Sequence, residues 1–589
     1  MIARLIGSLR AALRVMAQEP LGVVAALSTG VLTFMSFPNA WSPELNLWWM
    51  MWFSHVPFTL WLLAPRARDG RESESPRGAR WAFWWSFLCG FIINTGGYYW
   101  IAELAQTFGH LPTPVSYLIL ALHSALLGCI WGGWGVAVRL LSPRWGIAWV
   151  SPVAMVAFEH YMPRIFPAYM GDCQFPFLTV MQVTDLFGVS AVSFLLYRVN
   201  AELTQWLWAW LEARGEGAQE SRESQGAPSG AARKRSALIT AALMSLSLAY
   251  GAWRIPQVDA MTEAAPKLKV GVVESDVGIF SSEPLDKRRD HLIILQRLSA
   301  ELVERGAELI IWAESSYHMP PFPSDLKQLY LSEVPLNASW REDQAEGVSR
   351  RDRVTPLRGF KAPLLMGGGA IERGADGAPD RHYNTAWLIS ESGEILGRYD
   401  KIIRLVFGEY IPFGDVFPQF YTWLPSASNM TRGAEIKSLT LPHKGRDVRL
   451  GVLICYEGIL PGFAQELYET DPDLLINLTN DDWFGLSAER YLHFALALPR
   501  AIESRRAFVR STLTGVSAVV DPVGRIVEWT RPEGEETILL DVPLMRPWTL
   551  YQVIGDALPM SAVALLLCWG WLVRRSDEEQ TKLTEEPTA

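Results

Sequence analysis

The chain has 589 residues, a net charge of −9 and a hydrophobic fraction of 49% that includes 26 tryptophans. The negative charge and the lack of a basic stripe argue against a nucleic-acid partner. Five cysteines without a short repeating spacing argue against a disulfide framework and a zinc site. Charged residues are sparse up to position 210 and after 555 but frequent from 255 to 547, so the chain combines two kinds of sequence.

Eight apolar runs are long enough to cross a bilayer, which takes about 20 mostly apolar residues. They lie near 20–37, 46–64, 81–103, 116–141, 146–162, 178–197 (or toward 209), 237–254 and 554–573. Basic residues before the first run resemble a secretory signal, but the seven further runs argue against cleavage. We therefore expect a membrane α-helical bundle of about eight transmembrane helices.

Lysine and arginine concentrate in alternate short loops, and cytoplasmic loops carry such an excess. The basic residues of these loops include Arg4, Arg10, Arg14, Arg66, Arg68, Arg71, Arg77, Arg80, Arg139, Arg144, Arg214, Arg222, Arg233, Lys234, Arg235, Arg574 and Arg575. The alternate loops near 38–45, 104–115 and 163–176 hold one basic residue, Arg164. This pattern predicts a multi-pass membrane protein with both termini in the cytoplasm and residues 255–547 on the outer side, which in a diderm bacterium is the periplasm.

Three domains follow from this orientation. Residues 1–254 are the expected membrane domain, with seven transmembrane helices and a polar cytoplasmic loop at 211–236. Residues 255–547 are the expected periplasmic domain, and 548–589 hold the last transmembrane helix and a cytoplasmic tail. Polar residues in or beside the apolar runs suit a structural partner as well as a substrate contact. These residues are His55, Glu103, Glu159 and Asp185.

The block from 255 to 547 alternates strand and helix patterns. The predicted strands are KLKVGVVES (267–275), ELIIWAESS (308–316), APLLMGGGA (362–370), TAWLIS (385–390), VRLGVLICYE (448–457) and DLLINLTND (473–481). The segment KRRDHLIILQRLSAELVERG repeats apolar residues at helical spacing. This alternation predicts an α/β layered fold whose strands are buried on both faces.

Three polar residues stand at the ends of strand or turn-and-strand segments. Glu314 closes LIIWAE, Cys455 closes LGVLIC, and Lys401 follows GEILGRYD. Taken singly, Cys455 is a candidate for core packing and the two charges are candidates for solvent exposure. Together they predict acyl transfer through a thiol, because a protonated thiol needs a base and a cation beside it. Glu314 would take the proton, and Lys401 and the N–H of Tyr456 would stabilise an oxyanion.

The order glutamate, lysine, cysteine resembles the catalytic set of the nitrilase superfamily. IIWAESS, YDKIIRLVFGEYIPFGD and GVLICYEG resemble its three motifs, and NLTNDDWFG with TGVSAVVDPVGRI resembles the segments that follow. With eight flanking runs, the whole chain resembles the apolipoprotein N-acyltransferase family. The resemblance implies a nitrilase-like four-layer α-β-β-α sandwich attached to the membrane bundle.

The resemblance also implies roles for particular residues. Glu314 corresponds to the general base, Lys401 to the oxyanion stabiliser and Cys455 to the nucleophile, and Glu409 to a second glutamate beside them. Supporting positions that match the CYE motif are Tyr456 and Glu457, although Glu457 also suits a helix N-terminus. Trp483 and Phe484 would line an acyl-chain path or pack in the core, and packing is the preferred interpretation of these two.

Two departures from the family pattern concern substrate geometry. Val406 stands where the family has a proline, and Tyr491 stands where it has the first histidine of a pair that ends at His493. The implied reaction passes a fatty acyl group from a membrane phospholipid through Cys455 to the α-amino group of a diacylglyceryl apolipoprotein. We expect a monomer in contact with membrane lipid, with no metal and no organic cofactor, since the nine histidines form no ligand motif.

Two alternatives stay open on the sequence. A membrane-tethered nitrilase-like amidase would hydrolyse a small carbon–nitrogen substrate, but it needs one anchor rather than eight. A non-catalytic relative would bind lipoproteins, but it has no need to keep Glu314, Lys401 and Cys455 together.

Overall fold

The computed structural model describes residues 19–41, 47–63, 78–213, 230–276, 285–334, 336, 354–375, 379–424 and 427–585. The chain divides into two compact units. The first holds the described residues of Met1–Gln106, Leu111–Ala252 and Asp556–Ala589, and the second holds those of Thr107–His110 and Trp253–Gly555. The arginines before the first apolar run, most of those between the second and third, and most of the 211–236 loop lie outside the described residues.

The first unit consists of helices, whereas the second contains two β-sheets as well as helices. The helices are α1 (Pro20–Phe34), α2 (Val56–Leu63), α3 (Ala79–Gly97), α4 (Trp100–Thr107), α5 (Thr113–Trp145), α6 (Ile147–Tyr161), α7 (Leu178–Met181), α8 (Thr184–Phe187), α9 (Val189–Glu212), α10 (Gly230–Ala264), α11 (Leu285–Glu304), α12 (Phe420–Trp423), α13 (Pro461–Tyr468), α14 (Glu489–Ala497), α15 (Pro499–Ser504), α16 (Leu550–Ile554) and α17 (Ala557–Glu585). Short 3₁₀ turns cover Trp48–Trp52, Met170–Gln174, Cys455–Ile459 and Asp481–Phe484.

Three described helices are long and apolar enough to cross a membrane. They are α5, α10 and the first part of α17, Ala557–Ser576. Two shorter apolar helical segments cover Pro20–Phe34 and Leu178–Phe187. The remaining predicted runs fall on helices that are shorter than a crossing or interrupted, so the full set of eight crossings stays a prediction.

Glycines interrupt two of the predicted runs. The run 81–103 is divided because α3 ends at Gly97 and α4 begins at Trp100. The run 178–197 is divided at Gly188, whose φ of 67° is favourable for glycine alone. A continuous helix therefore starts at Val189 and extends to Glu212, close to the longer of the two predicted ends, 209. Apolar composition identified both runs but did not reveal these breaks.

Three of the four polar residues noted in or beside the apolar runs have partners inside the first unit. The ring of His55 hydrogen bonds with the hydroxyl of Tyr197 at 2.8 Å. Asp185 accepts from the hydroxyl of Tyr250 at 2.7 Å. Glu159 accepts from the main-chain N–H of Met170. These contacts give the three residues a structural role, since buried polar groups require hydrogen-bond partners.

Two sheets form the centre of the second unit. The strands are β1 (Lys267–Glu274), β2 (Leu309–Trp312), β3 (Tyr317–Pro323), β4 (Leu364–Glu372), β5 (Arg381–Ile389), β6 (Ile395–Asp400), β7 (Ser438–His443), β8 (Arg446–Ile454), β9 (Leu474–Thr479), β10 (Phe508–Thr512), β11 (Ala518–Val520), β12 (Ile526–Trp529) and β13 (Glu536–Pro543). One sheet has the order β13-β1-β2-β4-β5-β6, with β3 beside β4, and the other has the order β12-β11-β10-β9-β8-β7. The six predicted strands correspond to β1, β2, β4, β5, β8 and β9.

Helices cover the outer faces of the sheets. In α11, Leu292, Leu295, Leu298 and Leu302 recur at intervals of three or four residues and are buried in the same apolar cluster as Trp312 of β2. On the other sheet, α13 packs against β8, and α15 packs against α13. Strands β1 and β2 contact β10, which joins the two sheets face to face. The second unit therefore has helices outside and two packed sheets inside.

Glu274, the last residue of β1, is completely buried between the sheets. Its carboxyl group accepts hydrogen bonds from the hydroxyls of Thr512, at 3.3 Å, and Thr530. Burial raises the pKa of Glu274 from 4.5 to about 8, against the opposing effect of these hydrogen bonds. The carboxyl group is therefore protonated in the folded protein near neutral pH.

We expect Glu274→Gln to lose less stability than the wild type as the pH rises. A raised folded-state pKa gives stability that is complete below pH 4.5 and lost as the pH rises through about 8. Because glutamine has no proton to lose, the melting temperature of Glu274→Gln should exceed that of the wild type. The margin should grow from about pH 5 to about pH 9. The exposed Glu435→Gln is the control. Parallel pH profiles for Glu274→Gln and wild type would contradict this expectation.

Candidate active site

Glu314 lies in a tight turn immediately after β2. Its neighbour Ser315 has a φ of 55°, in the left-handed region that side chains other than glycine rarely adopt. Gly367 of β4 approaches the turn so closely that a Cβ there would overlap the main chain of Ala313 and Glu314. The glutamate is 5% exposed, and its Oε2 accepts from the main-chain N–H of Asn480 at 3.0 Å. The ends of β2 and β9 therefore meet at this carboxylate.

Lys401 follows β6 and lies between two carboxylates. Its Nζ is 3.2 Å from Oε1 of Glu314 and 3.0 Å from the carboxylate of Glu409. The amide nitrogen of Asn384 donates to both carboxylates, at 2.7 Å and 2.8 Å. The second oxygen of Glu409 accepts from the N–H of Leu405 at 2.8 Å. Each charge of this buried group thus has a partner, as a buried ion pair requires.

Cys455 begins a 3₁₀ turn directly after β8. Its φ is 52°, so the cysteine itself is in the left-handed region, which costs about 1–2 kcal/mol for a residue with a side chain. The thiol is buried, and its residue is 6% exposed. A strained residue at the start of a turn presents its side chain away from the strand, and such strain is common at functional sites.

Electrostatics join the thiol to the ion pair. Burial raises the pKa of Cys455 to about 12; the Glu314 carboxylate adds to this rise, and the Lys401 ammonium and the Thr479 hydroxyl oppose it. Burial also raises the pKa of Glu314, with Lys401 opposing. For Lys401, burial lowers the pKa, but the two glutamates outweigh it and raise the pKa well above its usual value. At neutral pH the site therefore holds a neutral thiol beside a charged lysine.

Glu457 is completely buried in the turn of Cys455 and connects it to the lysine segment. Its Oε1 accepts from the N–H groups of Ile402 and Ile403, at 2.7 Å and 3.0 Å. Its Oε2 accepts from the N–H of Ile454 at 2.9 Å, and the Tyr399 hydroxyl donates to both oxygens. Burial raises the pKa of Glu457 to about 7 despite these donors. Glu457 thus keeps the helix-terminal position considered for it, because Oε2 accepts from the N–H of Ile454 at the start of the 3₁₀ turn, and Oε1 adds a link to the lysine segment.

The remaining predicted residues lie around this centre. Tyr456 is half-buried beside Cys455. Trp483 is half-buried, and its ring centroid is 5.0 Å from that of Phe108, which belongs to the same unit. Phe484 is buried edge-to-face against His493, with centroids 5.9 Å apart. Phe484 thus packs in the core.

Asn384 and the N–H of Asn480 contact the predicted residues but were not themselves predicted. Asn384 lies in β5 one residue before the predicted strand 385–390 begins, so the strand pattern did not include it. Its approach to Lys401 depends on the register in which Thr385 of β5 opposes Asp400 of β6. Among the described residues, no group of three or more His, Cys, Asp or Glu side chains is arranged to hold a metal ion.

Two family models match the chain. The model described as carbon-nitrogen hydrolase covers residues 289–548, and the model described as apolipoprotein N-acyltransferase N-terminal domain covers residues 29–202. The first range includes strands β2 to β13 and every residue discussed above as part of the site. The second unit is therefore a carbon–nitrogen hydrolase domain.

Relatives match nearly the whole chain. An apolipoprotein N-acyltransferase of Geobacter metallireducens is 28% identical over 92% of this chain and 92% of its own length. One from Bdellovibrio bacteriovorus is 29% identical over 89% of this chain and 88% of its own. With the two family models, these matches confirm the resemblance seen in the motifs, since the chain is similar to apolipoprotein N-acyltransferases over nearly its whole length.

Solved structures match about half of the chain. Nit3 of Saccharomyces cerevisiae, a member of the nitrilase superfamily, is 20% identical over 49% of this chain and 93% of its own, with a TM-score of 0.30. An amidase from Nesterenkonia sp. is 18% identical over 47% of this chain and 91% of its own, also with a TM-score of 0.30.

We expect Glu457→Gln to destabilise the protein by about 1–3 kcal/mol, because the new NH₂ group would face at least one main-chain N–H that loses its acceptor. Urea unfolding at about pH 8, where the wild-type carboxyl group is ionised, measures the difference. The exposed Glu466→Gln on α13 is the matched control. Equal stability of Glu457→Gln and wild type would show that the four donors do not hold this turn.

Proposed function

We propose that the protein transfers a fatty acyl group from a membrane phospholipid to the α-amino group of a diacylglyceryl-cysteine at the start of an apolipoprotein. The two family models and the shared name of the relatives support N-acylation of this acceptor. The observation that carries the mechanism is the buried pair of Glu314 and Lys401 whose charges act on the Cys455 thiol. A thiol with a base and a cation is suited to acyl transfer through a thioester.

The first half-reaction forms the acyl-enzyme. Glu314 removes the thiol proton as Sγ of Cys455 attacks the ester carbonyl carbon of the phospholipid. The carbonyl electrons move to oxygen, and the Lys401 ammonium and the N–H of Tyr456 stabilise the oxyanion. The intermediate collapses as the ester carbon–oxygen bond breaks. Glu314 returns the proton to the leaving oxygen, a lysophospholipid departs, and a thioester remains.

The second half-reaction forms the amide. The free amine of the diacylglyceryl-cysteine attacks the thioester carbonyl carbon, and Glu314 accepts a proton from the amine nitrogen. Collapse of the second tetrahedral intermediate breaks the carbon–sulfur bond, and the sulfur of Cys455 regains a proton from Glu314. Glu409 keeps Lys401 in place through both steps. Neither half-reaction requires a metal or an organic cofactor.

The membrane arrangement that we propose places this site close to both substrates. Eight crossings, with both termini in the cytoplasm, put residues 255–547 in the periplasm between the seventh and eighth crossings. The alternation of basic loops and the three long apolar helices support this topology. Both substrates are held in the outer leaflet of the inner membrane by their chains, so a tethered domain meets them there. One chain supplies every group named in the mechanism, which supports a monomer.

Intact-mass analysis tests the acyl-enzyme. After incubation with phospholipid, the wild type should gain the mass of one fatty acyl group, and hydroxylamine should remove it because it cleaves thioesters. Cys455→Ser should show no hydroxylamine-sensitive gain, and the buried Cys173→Ser should behave as the wild type. A folded wild type that never gains the group would favour a lipoprotein-binding relative. Ammonia release from small amides without lipid would favour an amidase.

The rate of acyl-enzyme formation should fall as the pH is lowered. Glu314 accepts a proton only as a carboxylate, and its raised pKa places this fall above the ordinary glutamate range. Glu314→Gln should form the thioester about 10²–10⁴-fold more slowly, without that acid limb. Glu308→Gln, at a surface ion pair, is the control. An unchanged acid limb in Glu314→Gln would assign the base to another group.

A further inference from the structure

Asn477 is a polar residue in the middle of β9, a strand in which all six residues are buried. Its side-chain amide has partners on both sides. Nδ2 donates to the main-chain carbonyls of Leu453 and Cys455, at 3.2 Å and 3.3 Å. Oδ1 accepts from Nη1 of Arg510 at 2.7 Å. The amide therefore connects a buried arginine to the turn that carries the cysteine.

The chemistry of the neighbours determines which way this amide faces. Arginine has donors alone, and main-chain carbonyls are acceptors alone. The amide oxygen of Asn477 must therefore face Arg510, and its nitrogen must face the turn. The reverse orientation would place the amide NH₂ against the Arg510 donors and the amide oxygen against the two carbonyl oxygens. The orientation therefore follows from the hydrogen-bond chemistry of the neighbours.

The turn is built around this amide. Cys455 has its φ of 52°, which needs support from the surrounding structure. A Cβ at Gly458 would lie 3.0 Å from Nδ2 and 3.1 Å from Cγ of Asn477, so the turn fits closely over the side chain. The hydrogen bond to the Cys455 carbonyl holds the residue whose conformation is strained.

Arg510 is itself fixed in one position. It is completely buried in β10, and its Nη2 donates to Oδ2 of Asp481 at 2.6 Å. Its Nε donates to the carbonyl of Val516 at 3.2 Å. The other oxygen of Asp481 contacts Nδ1 of His493 at 2.8 Å. A guanidinium held at these two places leaves Asn477 a single position.

We propose that Asn477, oriented by Arg510, is a positioning residue that holds the Cys455 turn in its reactive conformation. The inference rests on the proposed role of Cys455 as the nucleophile. Asn477 touches neither substrate nor the sulfur in this role and acts through the main chain of the turn. Its loss lets the cysteine relax out of the left-handed region, so that the thiol no longer lines up with Glu314.

The test measures the reactivity of Cys455 in the full-length protein, in detergent and without lipid. Iodoacetamide is the probe, and the alkylated Cys455 peptide is quantified over time across a pH series. Asn477→Ala should lower the alkylation rate constant of Cys455 about 10- to 100-fold at each pH of the series, the scale expected when a reacting group is misplaced. With phospholipid, kcat for acyl-enzyme formation should fall by a similar factor while KM changes less than about threefold.

Gln296→Ala is the matched control. Gln296 is also a completely buried amide, and its Nε2 donates to the main-chain carbonyls of Thr355 and Pro356. It should lower the melting temperature as Asn477→Ala does while leaving the alkylation rate of Cys455 unchanged. Equal slowing in both variants would reduce the effect to general destabilisation and overturn the inference. A wild-type alkylation rate in Asn477→Ala would also overturn it.

A second variant covers the case in which Asn477→Ala does not fold. Asn477→Asp keeps the partner of Arg510 but turns acceptors toward the two carbonyls. This variant should also alkylate more slowly than the wild type, and a wild-type alkylation rate in Asn477→Asp would overturn the inference. Because alkylation needs no lipid, the inference is decided even if the wild type forms no thioester with phospholipid. That second failure would count against the proposed function alone.

Discussion

The Lys401 ammonium, buried between two carboxylates, is the interaction on which the rest of the site depends. Removing such a charge from water costs several kcal/mol unless close partners compensate for it. Glu314 and Glu409 supply the compensation, but two carboxylates around one cation leave an excess negative charge. Asn384 relieves it by donating to both, and the N–H of Asn480 donates to the far oxygen of Glu314. Truncating any of these partners leaves a buried charge without a compensating partner.

Alignment of this ion pair with the cysteine requires a connection between the sheets, because Lys401 follows β6 and Cys455 follows β8. The buried carboxyl group of Glu457 provides it, with N–H donors from the lysine segment on one oxygen and the N–H that ends β8 on the other. Tyr399 of β6 donates to both oxygens. A single carboxyl group with four donors thus keeps the cation and the sulfur in register. Glu457 is therefore a structural part of the site.

Much of the fold and part of the site could be predicted from the sequence. Strands that end in a polar residue identified Glu314, Lys401 and Cys455, because apolar strands have no packing reason to end that way. Asn384 escaped prediction because its role depends on strand register, which residue patterns do not contain. The break at Gly188 escaped because apolar composition reports burial in lipid or core and not backbone conformation.

A high thiol pKa and a nearby cation become compatible once the charges are followed through the proposed proton transfer. While Glu314 is ionised, two carboxylates balance the positive charge of Lys401. The buried thiol then stays neutral and poorly reactive toward oxidants. When Glu314 accepts the thiol proton, one of these negative charges disappears. The lysine then has excess positive charge at the moment when a thiolate and an oxyanion develop beside it. In the proposed mechanism, the same ion pair therefore keeps the resting cysteine protonated and stabilises the transition state.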